Sequence, residues 1–531
     1  MKETCFVSDI YLAHMLYATT IRSPVASGLI KSIDCPKMPS GYFLIKAKDI
    51  PGKNSLAESD HPVLTDEVLS YKGEPVAILV GPDIVRLEEY AGKCKVIAVE
   101  TEEVTQEIIT REISSGSTDE IFKNAALVIR GKYRTGIQEH WYAEPVGAVA
   151  YTEITADGKR IIVRTASQLS RHVSESVSSV LALEDSRVNV IPTITGMHLD
   201  GKLWYPSLIA CHSALGAWIS GKPVRLILSR KEDLLFSPKR CAVEIDIASA
   251  HNEKGEIDGL EVQSMVNLGA YGVNVDEILS AVNLGAAGVY KTKNITIKSS
   301  AQKTCIPPQG SFAGHGSAQG FFAIERHISA AAEQLIQDPA QWRKDNSSEE
   351  SLITTVTENS DYNRKWASYE LIRRSKKEKN ESLRGIGIAV CGRASAVVEV
   401  AIDPVEFIPL IRGIWICADG LQTASGEDTI NVIKNSVLQS LGWAFYEQLQ
   451  YVNGIIPDVQ YDCFQIYSPS EIPDINIELI SCSEVENIKP EELPFSCVPA
   501  AWLQAVSQAV NCHFTEIPLK TIDIMHAGNK S

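Results

Sequence analysis

The chain has 531 residues, a formal net charge of −16 and an apolar fraction of 44%. That length predicts roughly three to five domains of ~100–200 residues, with enough apolar material for real cores. The acidic balance argues against nucleic acid or an anionic membrane as the main partner, since both select for Lys and Arg patches, and no run reaches the ~18 apolar residues of a membrane helix.

The opening residues, M-K-E-T-C-F-V-S-D-I-Y, lack an apolar signal-peptide core, which predicts a cytoplasmic protein. Tyr71–Val80 and Cys94–Glu100 read as strands, with a helix over Asp83–Lys93 between them. Residues 1–105 therefore form a small α+β domain, and the polar stretch Arg111–Glu120 is expected to be a linker.

A second domain is expected over 121–350. A-V-A-Y-T-E-I and R-I-I-V-R-T-A read as a hairpin turning at Ala156–Gly158. Leu169, Val173, Val177, Val180 and Leu181 share one helical face. The apolar run from Leu203 ends at Gly221, where a helix C-cap belongs, and P-V-R-L-I-L-S follows as a strand. Strands alternating with helices argue a mixed α/β fold. Residues 347–383 are polar and predict one or two helices and an exposed linker. A third domain, 384–531, opens on R-G-I-G-I-A-V. Within it Ala396–Asp403 alternates as a strand, and Thr429–Leu449 reads as a helix with Ile430, Ile433, Val437, Leu438 and Leu441 on one face.

The twelve cysteines are scattered with no C-x-x-C pair. Zinc sites and iron–sulfur clusters normally need clustered thiolates, so reduced, mostly buried cysteines are expected, and any iron–sulfur chemistry belongs on another chain.

Between Ile306 and Glu325 the chain places Gly310, Gly314, Gly316 and Gly320 just before an apolar helical run. Glycines there serve either a tight turn or the close approach of a polar ligand to free backbone amides. The run matches neither G-x-x-x-x-G-K-[ST] nor G-x-G-x-x-G, so no nucleotide loop is predicted.

Other segments resemble one family in order. They are I-R-S-P-V-A-S-G-L-I-K-S-I-D, A-K-D-I-P-G, L-S-Y-K-G-E-P-V-A-I-L-V, Q-E-H-W-Y-A-E-P, G-K-P-V-R-L-I-L-S-R-K-E-D, N-L-G-A-Y, Q-D-P-A-Q-W-R-K-D-N and E-E-L-P-F-S. Together they are similar to the molybdenum-cofactor subunit of the molybdenum hydroxylases, the xanthine dehydrogenases and aldehyde oxidases. The resemblance implies an N-terminal hammerhead domain followed by two molybdopterin-binding domains, the second truncated. It implies an oxidoreductase that hydroxylates an N-heterocycle or aldehyde with water as oxygen source. Molybdenum-molybdopterin is the implied cofactor. Separate iron–sulfur and FAD subunits are implied as partners, with a second molybdopterin subunit if the cofactor is shared.

Residue by residue, the resemblance puts Glu492 at the family's catalytic glutamate, which takes a proton as oxygen attacks carbon, and gives no protein side chain to the metal. Gln168 matches a glutamine that contacts the cofactor. Gly196 and Gly201, in T-G-M-H-L-D-G-K, stand where the family has a glycine-rich cofactor loop. Gly314, His315 and Gly316 stand at its R-G-F-G segment, with Ala313 for the arginine. Asp200 brings negative charge into the cofactor loop, and Glu491 replaces a glycine. Only seven residues separate Gly385–Ala389 from Val397, where the family carries a long pterin-binding segment. Two readings follow: a compact hydroxylase subunit, or a catalytically degenerate paralogue that partners a full-length molybdopterin subunit.

Overall fold

The structure, a computed structural model, describes residues 5–156, 158–374, 383–419, 426–457, 472–480 and 489–529. A seven-stranded sheet runs Val188–Pro192, Gly158–Thr165, Gly147–Thr155, Val224–Ile227, Leu16–Arg22, Pro75–Gly81, Phe43–Lys46. It therefore joins strands from both sides of residue 105. Pro75–Gly81 is buried at every position, which is why its sequence is a continuous apolar run rather than an alternating one. The expected hairpin pairs Thr155 with Gly158. Helices Ser170–Leu181 and Tyr205–Ser220 bury Val173, Val177, Leu208 and Leu215 in this sheet's core. The second helix ends where Gly221 adopts φ 67°, as the glycine after Ser220 predicts.

A three-stranded sheet, Val68–Leu69, Gly28–Asp34 and Lys95–Glu100, sits beside it. Its register pairs Asp34 with Lys95, so Cys35 and Cys94 fall side by side with Cα atoms 4.2 Å apart, and they form a disulfide. This corrects the expectation of uniformly reduced cysteines. The partners are 59 residues apart in sequence, and only strand pairing brings them together.

The six-stranded sheet runs Glu516–Ile517, Leu127–Thr135, Val243–His251, Ile257–Asn267, Asn294–Lys303, Gln106–Ser115. Arg111–Glu120 is not a linker. Its first half completes the edge strand Gln106–Ser115, paired with Asn294–Lys303, and Thr118 opens a helix to Asn124. The edge strand is largely exposed, so its polar sequence reads as loop although its backbone pairs along one side with Asn294–Lys303.

The four-stranded sheet is Leu383–Cys391, Ala394–Ile402, Pro409–Asp419 and Ile475–Ile480. Cys391 pairs directly with Ala394 across the turn Gly392–Arg393. The short spacing read in the sequence is therefore a tight hairpin. Helix Leu493–Ala509 lies over it and buries Phe495, Val498, Trp502 and Leu503 in the core shared with the six-stranded sheet. Residues 350–374 form two helices, Glu350–Asn359 and Tyr362–Arg374; the expected linker at 375–382 lies outside the described residues. The helix expected over 429–449 spans Gly426–Leu441, then widens to a π-helical turn over Gly442–Tyr446. Among the described residues no helix is long and apolar enough to cross a membrane.

Candidate active site

The glycine run meets the start of helix Leu493–Ala509 at one seam. Ala313, Gly314 and His315 hold φ of 22°, 86° and 59°, a tight left-handed turn. Beyond it the glycines serve packing. A Cβ at Gly316 would lie 2.7 Å from Val282 Cγ2, and one at Gly320 would lie 2.4 Å from Val282 O. Helices Val275–Ala287 and Ser317–Gln334 therefore cross closely only because those positions lack side chains.

Glu492 immediately precedes helix Leu493–Ala509 and stands against Gly314, whose ideal Cβ position is 3.3 Å from Glu492 Oε2. Lys489 Nζ lies 3.0 Å from Glu492 Oε1 and 3.6 Å from Asp200 Oδ1. Asp200 is 3% exposed, and its Oδ2 accepts from the Gly314 amide at 3.2 Å. Burial pushes the Glu492 carboxyl up; Lys489 draws it back, Asp200 and Glu491 push again, and the balance stays above the ordinary value. Burial works to lower Lys489, but Asp200 and Glu492 outweigh it and hold the ammonium above its usual range.

The other expected positions gather around His140 and Tyr142. Gln168 Oε1 accepts from the Lys202 amide at 3.1 Å and from the Tyr142 hydroxyl at 3.3 Å. The Gly201 amide donates to Tyr142 OH at 3.0 Å. The Gly196 amide donates to Glu144 Oε1 at 2.8 Å, and the buried Lys202 ammonium pairs with the same oxygen. The His140 ring stacks between Tyr142 and Phe312, and burial pushes it down to about 3, so it is neutral; its Nε2 bonds the Ser311 carbonyl at 2.9 Å. His315 Nδ1 lies 3.0 Å from Ser311 Oγ. The structure thus joins Gly314 to Glu492, and Gln168 to Gly201 through Lys202 and Tyr142.

Sequence reasoning missed Lys489, Arg240 and Glu447. Arg240 is fully buried, bonded to Gln138 and Gln319, and lies 4.3 Å from the Phe312 ring and 4.2 Å from that of Trp443. Burial pulls it down to about 9 and pushes the neighbouring Glu447 up to about 8. The Q-E-H-W-Y-A-E-P stretch was the available signal, since it supplies Gln138, His140, Tyr142 and Glu144.

A molybdenum pterin is anionic and electron-rich, and free amides would have to receive it. Here the amides of Gly196, Gly201, Lys202, Gly314 and Gly316 already donate to Glu144, Tyr142, Gln168, Asp200 and the Gly314 carbonyl. The only cation beside Glu492 among these contacts serves two carboxylates. The described residues therefore do not fit that cofactor by themselves. Among them, no group of His, Cys, Asp and Glu is arranged to hold a metal ion.

Comparison with known proteins gives the ancestry. Residues 2–100 match the model of the aldehyde oxidase and xanthine dehydrogenase a/b hammerhead domain, and residues 100–347 match that of the molybdopterin cofactor-binding domain. Aldehyde oxidase 2 of Rattus norvegicus is 26% identical over 359 residues, 65% of this chain; the match spans only 26% of that protein. The nicotinate dehydrogenase large molybdopterin subunit of Eubacterium barkeri is 26% identical over 372 residues, 65% of this chain and 85% of that subunit. In fold, the chain superposes on CO dehydrogenase of Oligotropha carboxidovorans with a TM-score of 0.90 at 14% identity, covering 99% of this chain and 96% of the other. Quinoline 2-oxidoreductase of Pseudomonas putida 86 gives 0.87 at 17% identity, covering 99% and 96%. With hammerhead and cofactor-binding matches in family order, and relatives that are oxidoreductases by name, the chain belongs to the xanthine dehydrogenase and aldehyde oxidase family of molybdenum hydroxylases.

Proposed function

We propose that this chain is a subunit of a molybdenum hydroxylase that hydroxylates an N-heterocycle or aldehyde with water as the oxygen source. In this reading it works in the cytoplasm with iron–sulfur and FAD subunits. A second molybdopterin subunit completes the grip on the cofactor. The observation that carries the reading is the seating of Glu492 against Gly314 with its proton affinity raised, which suits a carboxylate that accepts a proton during turnover. The need for a second subunit rests on the tight hairpin at Gly392–Arg393 and on the amides already spent within the chain. The name of the Eubacterium barkeri relative, a large molybdopterin subunit, is in keeping with a divided cofactor site.

The test is purification of the native complex and assay of aldehyde and N-heterocycle hydroxylation in ¹⁸O-labelled water. A working complex should lose roughly 10²–10⁴-fold in rate on Glu492→Gln. Unchanged rate would remove Glu492 from the chemistry. The second reading, a catalytically degenerate partner, is favoured by Lys489 occupying Glu492. It predicts co-purification with a full-length molybdopterin subunit and unchanged turnover of that complex on Glu492→Gln.

A further inference from the structure

We propose that Asp200 is an anion supplied by the chain to its own cradle, standing where a bound oxyanion would stand, so that this chain alone holds no molybdenum pterin. The inference rests on the subunit reading above and deepens it by naming what closes the site.

Three observations carry it. Asp200 takes the Gly314 amide, the backbone donor at the tip of the left-handed turn facing Glu492. It also takes part of Lys489, so one cation answers two carboxylates. An arriving anion would meet a spent amide, a shared ammonium and net negative charge. Finally, Asp200 itself sits at φ 65° with its side chain buried. A residue other than glycine is uncommon there, and here the Asp200 carboxylate is held by the Gly314 amide. The neighbouring Gly201 has no room for a side chain of its own, since a Cβ there would lie 2.6 Å from the His140 ring.

Removing the carboxylate should convert the latch into a receptor. Gly314 N–H and the Lys489 ammonium would then face an open position of oxyanion size. The chemical class is a tetrahedral oxyanion, and the probe is molybdate.

The experiment uses the full chain, made in a host that synthesises molybdopterin. Metal and pterin content are measured first, followed by molybdate titration of the native chain, Asp200→Gly and Asp200→Ala by calorimetry. The native chain should carry far less than one molybdenum and one pterin per chain. Both variants should bind molybdate at least roughly tenfold more tightly than the native chain, and adding Lys489→Met should abolish that gain. Stoichiometric pterin on the native chain overturns the proposal, as does either folded variant with unchanged molybdate affinity. Each variant removes the side chain that fills the position, so either one decides the matter if the other fails to fold. Failure here is distinguishable from failure of the subunit reading, which stands or falls on co-purification and turnover of the complex.

Discussion

Two of the clusters that pair carboxylates with a cation in this molecule do opposite work. Glu325 and Arg343 are 1% and 0% exposed and bond at 2.9 Å. Tyr290 OH and the Val390 amide also donate to Glu325, while Arg343 donates onward to the Glu325 carbonyl, Ser329 Oγ and the Pro339 carbonyl. The pair thereby fastens helix Ser317–Gln334 to helix Pro339–Asn346 and to strand Leu383–Cys391. At the cradle, Lys489 is 47% exposed and Glu492 28%, and the contacts there join a turn to a helix start. Burial with every donor and acceptor satisfied makes a clamp; partial exposure and an excess of carboxylate make a latch that solvent can enter.

The largest effect should come from breaking the clamp. Arg343→Met leaves Glu325 buried without its cation, and a loss of about 3–5 kcal/mol is expected, read as an earlier urea transition. Loss below about 1 kcal/mol would mean that Tyr290 and Val390 hold Glu325 unaided.

Glu447 offers an intermediate case, a buried carboxyl without a clamp. Burial raises it from 4.5 to about 8, so the fold keeps a proton that the unfolded chain releases. The resulting stability is full below about pH 4.5 and is lost as pH rises toward 8. Glu447→Gln should flatten the melting temperature against pH across that window, removing a slope of up to about 1.4 kcal/mol per unit. An unchanged slope would show that Glu447 is not its source.

The smallest effect on stability belongs to the latch. Lys489→Met should change stability by less than about 1 kcal/mol, because its ammonium is half exposed to solvent. Its signature is chemical. Without the ammonium, Glu492 stays protonated to higher pH, and carbodiimide labelling of Glu492, followed by mass spectrometry, should extend upward in pH. Labelling with the native pH dependence would detach Lys489 from Glu492.

The sequence disclosed what local chemistry determines. Period and capping placed helix Tyr205–Ser220 with its glycine stop, and the strand Ala394–Ile402. Ordered motifs marked the family and singled out Glu492, which the fold seats against Gly314. What remained hidden was non-local. Arg111–Glu120 looks like linker because an edge strand exposes its side chains while its hydrogen bonds go to a partner about 180 residues away. Cys35 and Cys94 become neighbours only through strand register. Lys489 has no motif to mark it, since its meaning depends on Asp200, which reaches it from another loop. The glycine run was visible, but its main use, the close crossing of two helices, needed the second helix.

The turn at Gly392–Arg393 has a corollary. It closes a regular antiparallel pair whose register runs unbroken from Leu383–Ile402 to Cys391–Ala394. Joining two such strand ends through a longer excursion adds closure entropy that grows only with the logarithm of its length. A longer excursion could thus be carried at this one peptide without disturbing the sheet beneath.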